Sequence, residues 1–141
     1  MNRKMRVLIA ILMVAAAPFS ASAQENQVTV THELGEVLVA RNPQTVVVFD
    51  YGLLDIVDSL GVEVVGVVKA TLPEYLSKFK DDAYVDVGTL FEPNFERIYE
   101  LQPDVILVSG RQAEVYEELN RIAPTVYLTI DPQDYWASFS S

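Results

Sequence analysis

After an apolar start, the chain settles at about residue 27 into short apolar runs separated by turn residues and by helical spacings. Gln27–Thr31 and Val37–Ala40 alternate or run apolar around Glu33-Leu34-Gly35-Glu36, which predicts a β-hairpin. Thr45–Phe49 is an unbroken, mostly β-branched run, the composition of a strand buried on both faces. Leu53, Val57 and Leu60 follow at helical spacing, and Gly61 ends that helix. Val64–Val68 is a second buried strand. Leu72–Phe79 reads as a short helix begun by Pro73, and Val85–Gly88 as a short strand or turn. Pro93 opens a helix that turns Phe95, Ile98 and Leu101 inward. Asp104–Ser109 is the next strand, Val115, Leu119 and Ile122 mark a helix stopped by Pro124, and Thr125–Ile130 is the last strand. Strands alternating with helices predict an α/β chain: a Rossmann-like, mainly parallel sheet covered on both faces, with an N-terminal β-hairpin and neither internal repeats nor linkers. Asp131–Trp136 reads as the entry to a further helix with nothing left to pack on, so the chain is expected to be the first lobe of something larger.

Residues 1–23 follow a different pattern. Arg3, Lys4 and Arg6 precede the apolar run Val7–Ala17, and Pro18 and Ala21-Ser22-Ala23 follow. A basic start, a short apolar run and a small-x-small site predict a secretory signal peptide cut before Gln24. The run is too short to span a bilayer as an anchor. No cysteine stands near the site to take a lipid, so a soluble periplasmic protein is expected.

Charge and composition narrow the chemistry. The chain carries 20 acids, 10 bases and no cysteine, a net charge of −10. Loss of residues 1–23 removes three bases and no acid, leaving −13. Such a chain repels nucleic acid and anionic membrane surfaces. Thiolate metal sites, cysteine nucleophiles and disulfides are absent. His32 is the one histidine, expected on the surface of the hairpin. This disfavours a zinc or manganese binder, and the expectation is no metal site and no cofactor. There is no G-x-S-x-G elbow, Walker lysine or G-x-G-x-x-G fingerprint. Asp81-Asp82 and Glu117-Glu118 are paired carboxylates in polar surroundings, where solvated charge accounts for them. A secreted α/β enzyme thus lacks a nucleophile–base pair, and no catalytic residue is assigned.

What remains is placement. Ligands of open parallel sheets bind beyond the carboxyl ends of the strands. Three such ends carry Asp50-Tyr51-Gly52, Lys69-Ala70-Thr71 and Ser109-Gly110-Arg111-Gln112. An arginine there offers a planar fork of donors to oxyanions and can stack on rings, and Gly110 is expected to let the backbone turn sharply. A structural alternative stays open: Arg111 pairing with a helix carboxylate such as Glu114 or Glu118.

The stretches "VVVFDYGLLDIVDSLGVEVVGV", "VGTLFEPNFERIYELQPDVILVSGRQ" and "ELNRIAPTVYL" resemble the first lobe of the iron-siderophore and cobalamin binding proteins of ABC importers, most closely the petrobactin and catecholate siderophore binders. The resemblance runs from Val28 to Ser141 and is most specific over Gly88–Gln112. It implies two α/β lobes joined by a long helix, with the ligand between them: residues 24–134 would form the first lobe, and 135–141 would begin the connecting helix. It implies that Arg111 faces an anionic ferric siderophore and that Glu92 docks on the permease; Gln112, Tyr51 and Lys69 are expected on the same ligand-binding rim from their placement at the strand ends. A carboxylate beside a helix start has a plain dipole role as its alternative. The partners implied are a ferric siderophore, the ABC permease and its ATPase, with the binding protein a monomer. Cobalamin binding, haem binding, which Tyr51 as an axial ligand keeps open, and an inactive fragment are the competing readings.

Overall fold

The computed structural model describes residues 26–129. The expected signal peptide (1–23) and connecting helix (135–141) lie outside them. Twelve elements follow in order: β1 (Gln27–His32), β2 (Gly35–Ala40), β3 (Val46–Val48), α1 (Tyr51–Ser59), β4 (Val64–Val67), a 3-10 helix (Glu74–Lys80), β5 (Val85–Asp86), α2 (Phe95–Leu101), β6 (Val105–Val108), a second 3-10 helix (Gly110–Val115), α3 (Tyr116–Ile122) and β7 (Thr125–Tyr127). β1 and β2 form the expected antiparallel hairpin, paired from Gln27–Ala40 to His32–Gly35. The other five strands form a parallel sheet in the order β5-β4-β3-β6-β7. The chain starts at the central strand, builds outward to one edge, then crosses back to build the other half. The strand order therefore reverses between β3 and β6, the place where open α/β sheets bind ligands.

Strand alternation divides the core between the two faces. Val46 and Val48 join Leu53, Leu54, Val57, Leu76 and Phe79 on one side. Val47 and Phe49 join Ile98, Ile106, Tyr116 and Leu119 on the other. Burying each such side chain is worth roughly 1.5–3 kcal/mol. The hairpin caps the first face through Val39, with Val30 and Val37 packed on it. An ion pair between Lys78 and Asp58 ties the first 3-10 helix to α1. Gly66 in β4 is needed for space: an added Cβ would lie 2.8 Å from Val87 Cγ1 and 3.0 Å from both Leu101 Cδ1 and Val47 Cγ2.

Several boundaries differ from expectation. α1 stops at Ser59, so Leu60 falls in its C-cap and is 74% exposed; Leu53, Leu54 and Val57 form its inward stripe. Pro73 is the residue before a 3-10 helix, which breaks at Leu76 so that Leu76 and Phe79 both reach the core. α2 begins at Phe95 rather than Pro93, because Asn94 is its cap and accepts from the Arg97 amide at 3.0 Å. The helix then ends at Gln102 in the left-handed region, φ +46, before Pro103. His32 is not a surface residue: it is half-buried, its ring set edge-on to Tyr116 with centroids 5.4 Å apart, and Nε2 lies 3.2 Å from the Tyr116 hydroxyl. Burial, and then the Glu117 carboxylate, hold the Tyr116 phenol above its ordinary pKa. It therefore stays a neutral hydroxyl that fastens the hairpin to α3. Among the described residues no helix is long and apolar enough to cross a membrane.

Candidate functional site

Register brings the site together. Val48 of β3 pairs with Leu107 of β6, so Asp50 and Ser109, each two residues further on, arrive level beyond the carboxyl ends of the two strands. Asp50 then does two things. As the N-cap of α1, its Oδ1 accepts from the amides of Gly52 (2.9 Å) and Leu53 (3.1 Å), satisfying donors that a helix start leaves unpaired. Its Oδ2 accepts from the Ser109 hydroxyl at 2.9 Å and from Arg111 Nη1 at 3.4 Å. The Asp50 side chain is 15% exposed and that of Arg111 is 53% exposed. The carboxylate is a largely buried post and the guanidinium is the more exposed partner. Asp50, Ser109, Gly110, Arg111, Leu128 and Thr129 line a shallow hollow of about 310 Å³.

The guanidinium's partner is thus a strand-end carboxylate, not Glu114 or Glu118. Among the described residues Asp50 is the one side chain bonded to Arg111. A half-exposed pair of this kind adds about 0–1 kcal/mol to stability. That is too little to explain the arginine as a structural element, and no other hydrogen bond engages its donor fork among the described residues. Gly110 is not there to make a sharp turn. Its φ is not in the left-handed region, and an added Cβ would meet only the Tyr127 hydroxyl, at 3.7 Å.

The other expected rim residues divide. Tyr51, next to Asp50, is half-buried, with its hydroxyl 2.7 Å from Thr71 Oγ1, so the β3 and β4 ends are linked. Lys69 turns away: Nζ donates to the carbonyls of Asp81 (2.7 Å) and Lys80 (3.3 Å), at the end of the first 3-10 helix. There an ammonium satisfies unpaired carbonyls. Gln112 corrects the expectation of a ligand contact, since it is fully buried. Its Oε1 accepts from Ser109 N at 3.0 Å and its Nε2 donates to the Leu90 carbonyl. Glu92 is exposed on the loop between β5 and α2. It does not cap α2, which Asn94 does, and its carboxylate makes no hydrogen bond or ion pair among the described residues. Asp50 and Ser109 are the contributors that sequence reasoning left without a role. An aspartate between an apolar run and a helix is a recognisable cap signature, but nothing local says what its second oxygen holds. A larger hollow, about 550 Å³, is lined by Arg41–Gln44 and Leu60–Glu63. It lies at the amino ends of β3 and β4, away from the strand reversal. Among the described residues no group of three or more His, Cys, Asp or Glu could hold a metal ion.

A periplasmic binding protein family profile matches residues 46–138. The chain belongs to the periplasmic binding protein family. It is 50% identical over 125 residues to the petrobactin-binding protein YclQ of Bacillus subtilis, covering 86% of this chain and 39% of that protein. It is 38% identical over 108 residues to the ferric-anguibactin-binding protein FatB of Vibrio anguillarum, covering 76% and 34%. Its structure matches the crystal structure of the periplasmic catecholate-siderophore binding protein VctP of Vibrio cholerae with a TM-score of 0.73 and 44% identity, over 79% of this chain and 41% of that one. The chain thus spans about two fifths or less of the length of the curated relatives YclQ and FatB. A five-stranded parallel sheet is present within that span, and the relatives named above are binding proteins.

Proposed function

We propose that the Asp50–Ser109–Arg111 rim is one wall of a binding site for an anionic iron–siderophore complex, and that the chain serves the substrate-binding component of an ABC importer. The observation that carries this is the half-exposed Arg111 guanidinium, held by a largely buried carboxylate at the strand reversal. The binding of petrobactin and ferric anguibactin by relatives at 50% and 38% identity supports the ligand class. A ferric catecholate presents negative charge and aromatic faces, and one arginine can address both. Export to the periplasm and docking of Glu92 on the permease complete the reading. Haem is the weaker reading, because the Tyr51 hydroxyl that would serve as its axial ligand is engaged with Thr71.

The test is a fluorescence-quenching titration with a ferric catecholate. Arg111→Ala should weaken binding by about 1–3 kcal/mol, roughly 5- to 150-fold, the scale of a lost charge-assisted hydrogen bond. Arg111→Lys should recover only part of it, since an ammonium lacks the planar fork. If Arg111→Ala binds as well as the parent but unfolds several degrees lower, the arginine is a structural partner of Asp50 and the proposal fails.

A further inference from the structure

Gln112 is buried, yet its side chain joins two exposed features. On one side its neighbour is Arg111, and its Oε1 holds the Ser109 amide at the start of the rim turn. On the other its Nε2 donates to the carbonyl of Leu90. Leu90 leads directly into Phe91 and Glu92, the tip of the loop between β5 and α2. That tip is stiff. Gly88 sits at φ +111, where an added Cβ would lie 2.5 Å from the Glu92 carbonyl oxygen and 2.7 Å from the Asn94 amide nitrogen. The Thr89 amide donates to the Glu92 carbonyl at 3.0 Å, and Thr89 Oγ1 accepts from the amides of Phe91 (3.3 Å) and Glu92 (2.9 Å). The Asn94 amide donates to the Val87 carbonyl at 2.8 Å. The braced tip carries the Phe91 ring, 70% exposed, beside the exposed Glu92 carboxylate.

We infer that Gln112 is a positioning residue that couples the rim to the tip. A chelate drawing on Arg111 shifts the turn that starts at Ser109, and the planar Gln112 amide carries that shift to Leu90 and so to the Phe91–Glu92 surface. An amide suits this task because one rigid group supplies an acceptor and a donor in opposite directions. Buried away from water, neither bond has a solvent substitute. The inference rests on the reading of Arg111 as a chelate contact and deepens it: the tip offered to the permease would differ between loaded and empty protein.

The test is nuclear magnetic resonance on the full isotope-labelled chain, titrated with gallium(III) tris-catecholate, a diamagnetic stand-in for the ferric complex. Amides of Ser109–Arg111, the Gln112 side-chain amide, and amides of Leu90, Phe91 and Glu92 should shift together along one saturation curve. In Gln112→Met, which keeps the volume and removes both bonds, spectra compared at saturation, where any loss of affinity is set aside, should keep the rim shifts and lose the tip shifts. A parent chain whose rim shifts while its tip stays still overturns the coupling and leaves the chelate reading intact. Tip shifts that survive in Gln112→Met overturn it too. No shift at the rim of the parent overturns the chelate reading and this inference with it. Should Gln112→Met not fold, the parent titration with its Gln112 side-chain signal decides alone.

Discussion

Asp50 offers the sharpest test of the site, because two substitutions separate its two roles. Asp50→Ala removes an acceptor from four donors at once. The lost N-cap costs about 0.5–2 kcal/mol. The Ser109 hydroxyl loses a bond to a charged, largely buried acceptor, a bond of roughly 1.5–3 kcal/mol when nothing replaces it. Water from the adjacent hollow can reach Ser109, so the low end applies. The Arg111 pair adds at most about 1 kcal/mol, since the guanidinium is half in solvent. The expected loss of unfolding free energy is therefore about 2–4 kcal/mol. Asp50→Asn keeps an equivalent capping oxygen. Its Nδ2, in the place of Oδ2, can donate to Ser109 Oγ but turns a donor toward Arg111. The structural loss should be about 1 kcal/mol or less, while Arg111 loses its hold entirely.

Urea unfolding of both variants, compared at a common denaturant slope, gives the two values directly. Adding Arg111→Ala to each background closes a double-mutant cycle. Coupling between positions 50 and 111 should be present in the parent background and absent once Asp50→Asn is in place. Equal losses for Ala and Asn would refute the division of labour, since the carboxylate charge and not the cap would then dominate. A loss below about 1 kcal/mol for Ala would leave room only for the cap and show that the post holds neither Ser109 nor Arg111.

Gly88→Ala should destabilise the chain by about 2–4 kcal/mol, combining a positive φ with a Cβ forced against the Glu92 carbonyl; a thermal melt unchanged within a degree or two would contradict it. Glu92→Ala should leave affinity for a ferric catecholate and the melting temperature both unchanged while lowering uptake through the permease; an equal loss of binding and uptake would place the residue in the ligand site.

The parallel core was legible because β3 and β6 are apolar on both faces, so the runs Thr45–Phe49 and Asp104–Ser109 admit few other folds. The helix ends were less so. A three-residue spacing such as Leu76 and Phe79 suits a 3-10 helix as well as an α-helix, and Pro93 looks like a helix opener until Asn94 is seen to take the cap. Arg111 could be placed on the rim from its position after a strand. Its partner could not, because Asp50 lies 61 residues away in sequence and only the β3–β6 register brings it level. Lys69 and Gln112 fail as rim residues for related reasons. Each looks exposed by type, yet one is drawn to the carbonyls of Lys80 and Asp81 and the other to the Ser109 amide and the Leu90 carbonyl. Long polar side chains follow unpaired backbone groups, and those are set by tertiary structure.

Charge balance gives a last prediction, one of sign. The chain carries −10 overall, so an anionic chelate approaching from a distance is repelled. The rim does not reverse this at long range, since Asp50 offsets Arg111 within 3.4 Å. Recognition must then come from contact, once the ligand meets the uncommitted edge of the guanidinium. Salt acts differently on the two ranges. Raising ionic strength from about 0.01 to 0.15 M shortens the Debye length from roughly 30 to 8 Å, which screens the distant acids and spares a contact pair. Binding of a ferric catecholate should therefore hold or strengthen across that range, with the gain in the association rate. Arg111→Ala should weaken binding at every salt concentration while leaving this trend in place. Stopped-flow association at three ionic strengths measures both quantities. A tenfold fall in affinity with salt would mean that a long-range basic field guides the ligand, and a rim built on one offset arginine could not be its source.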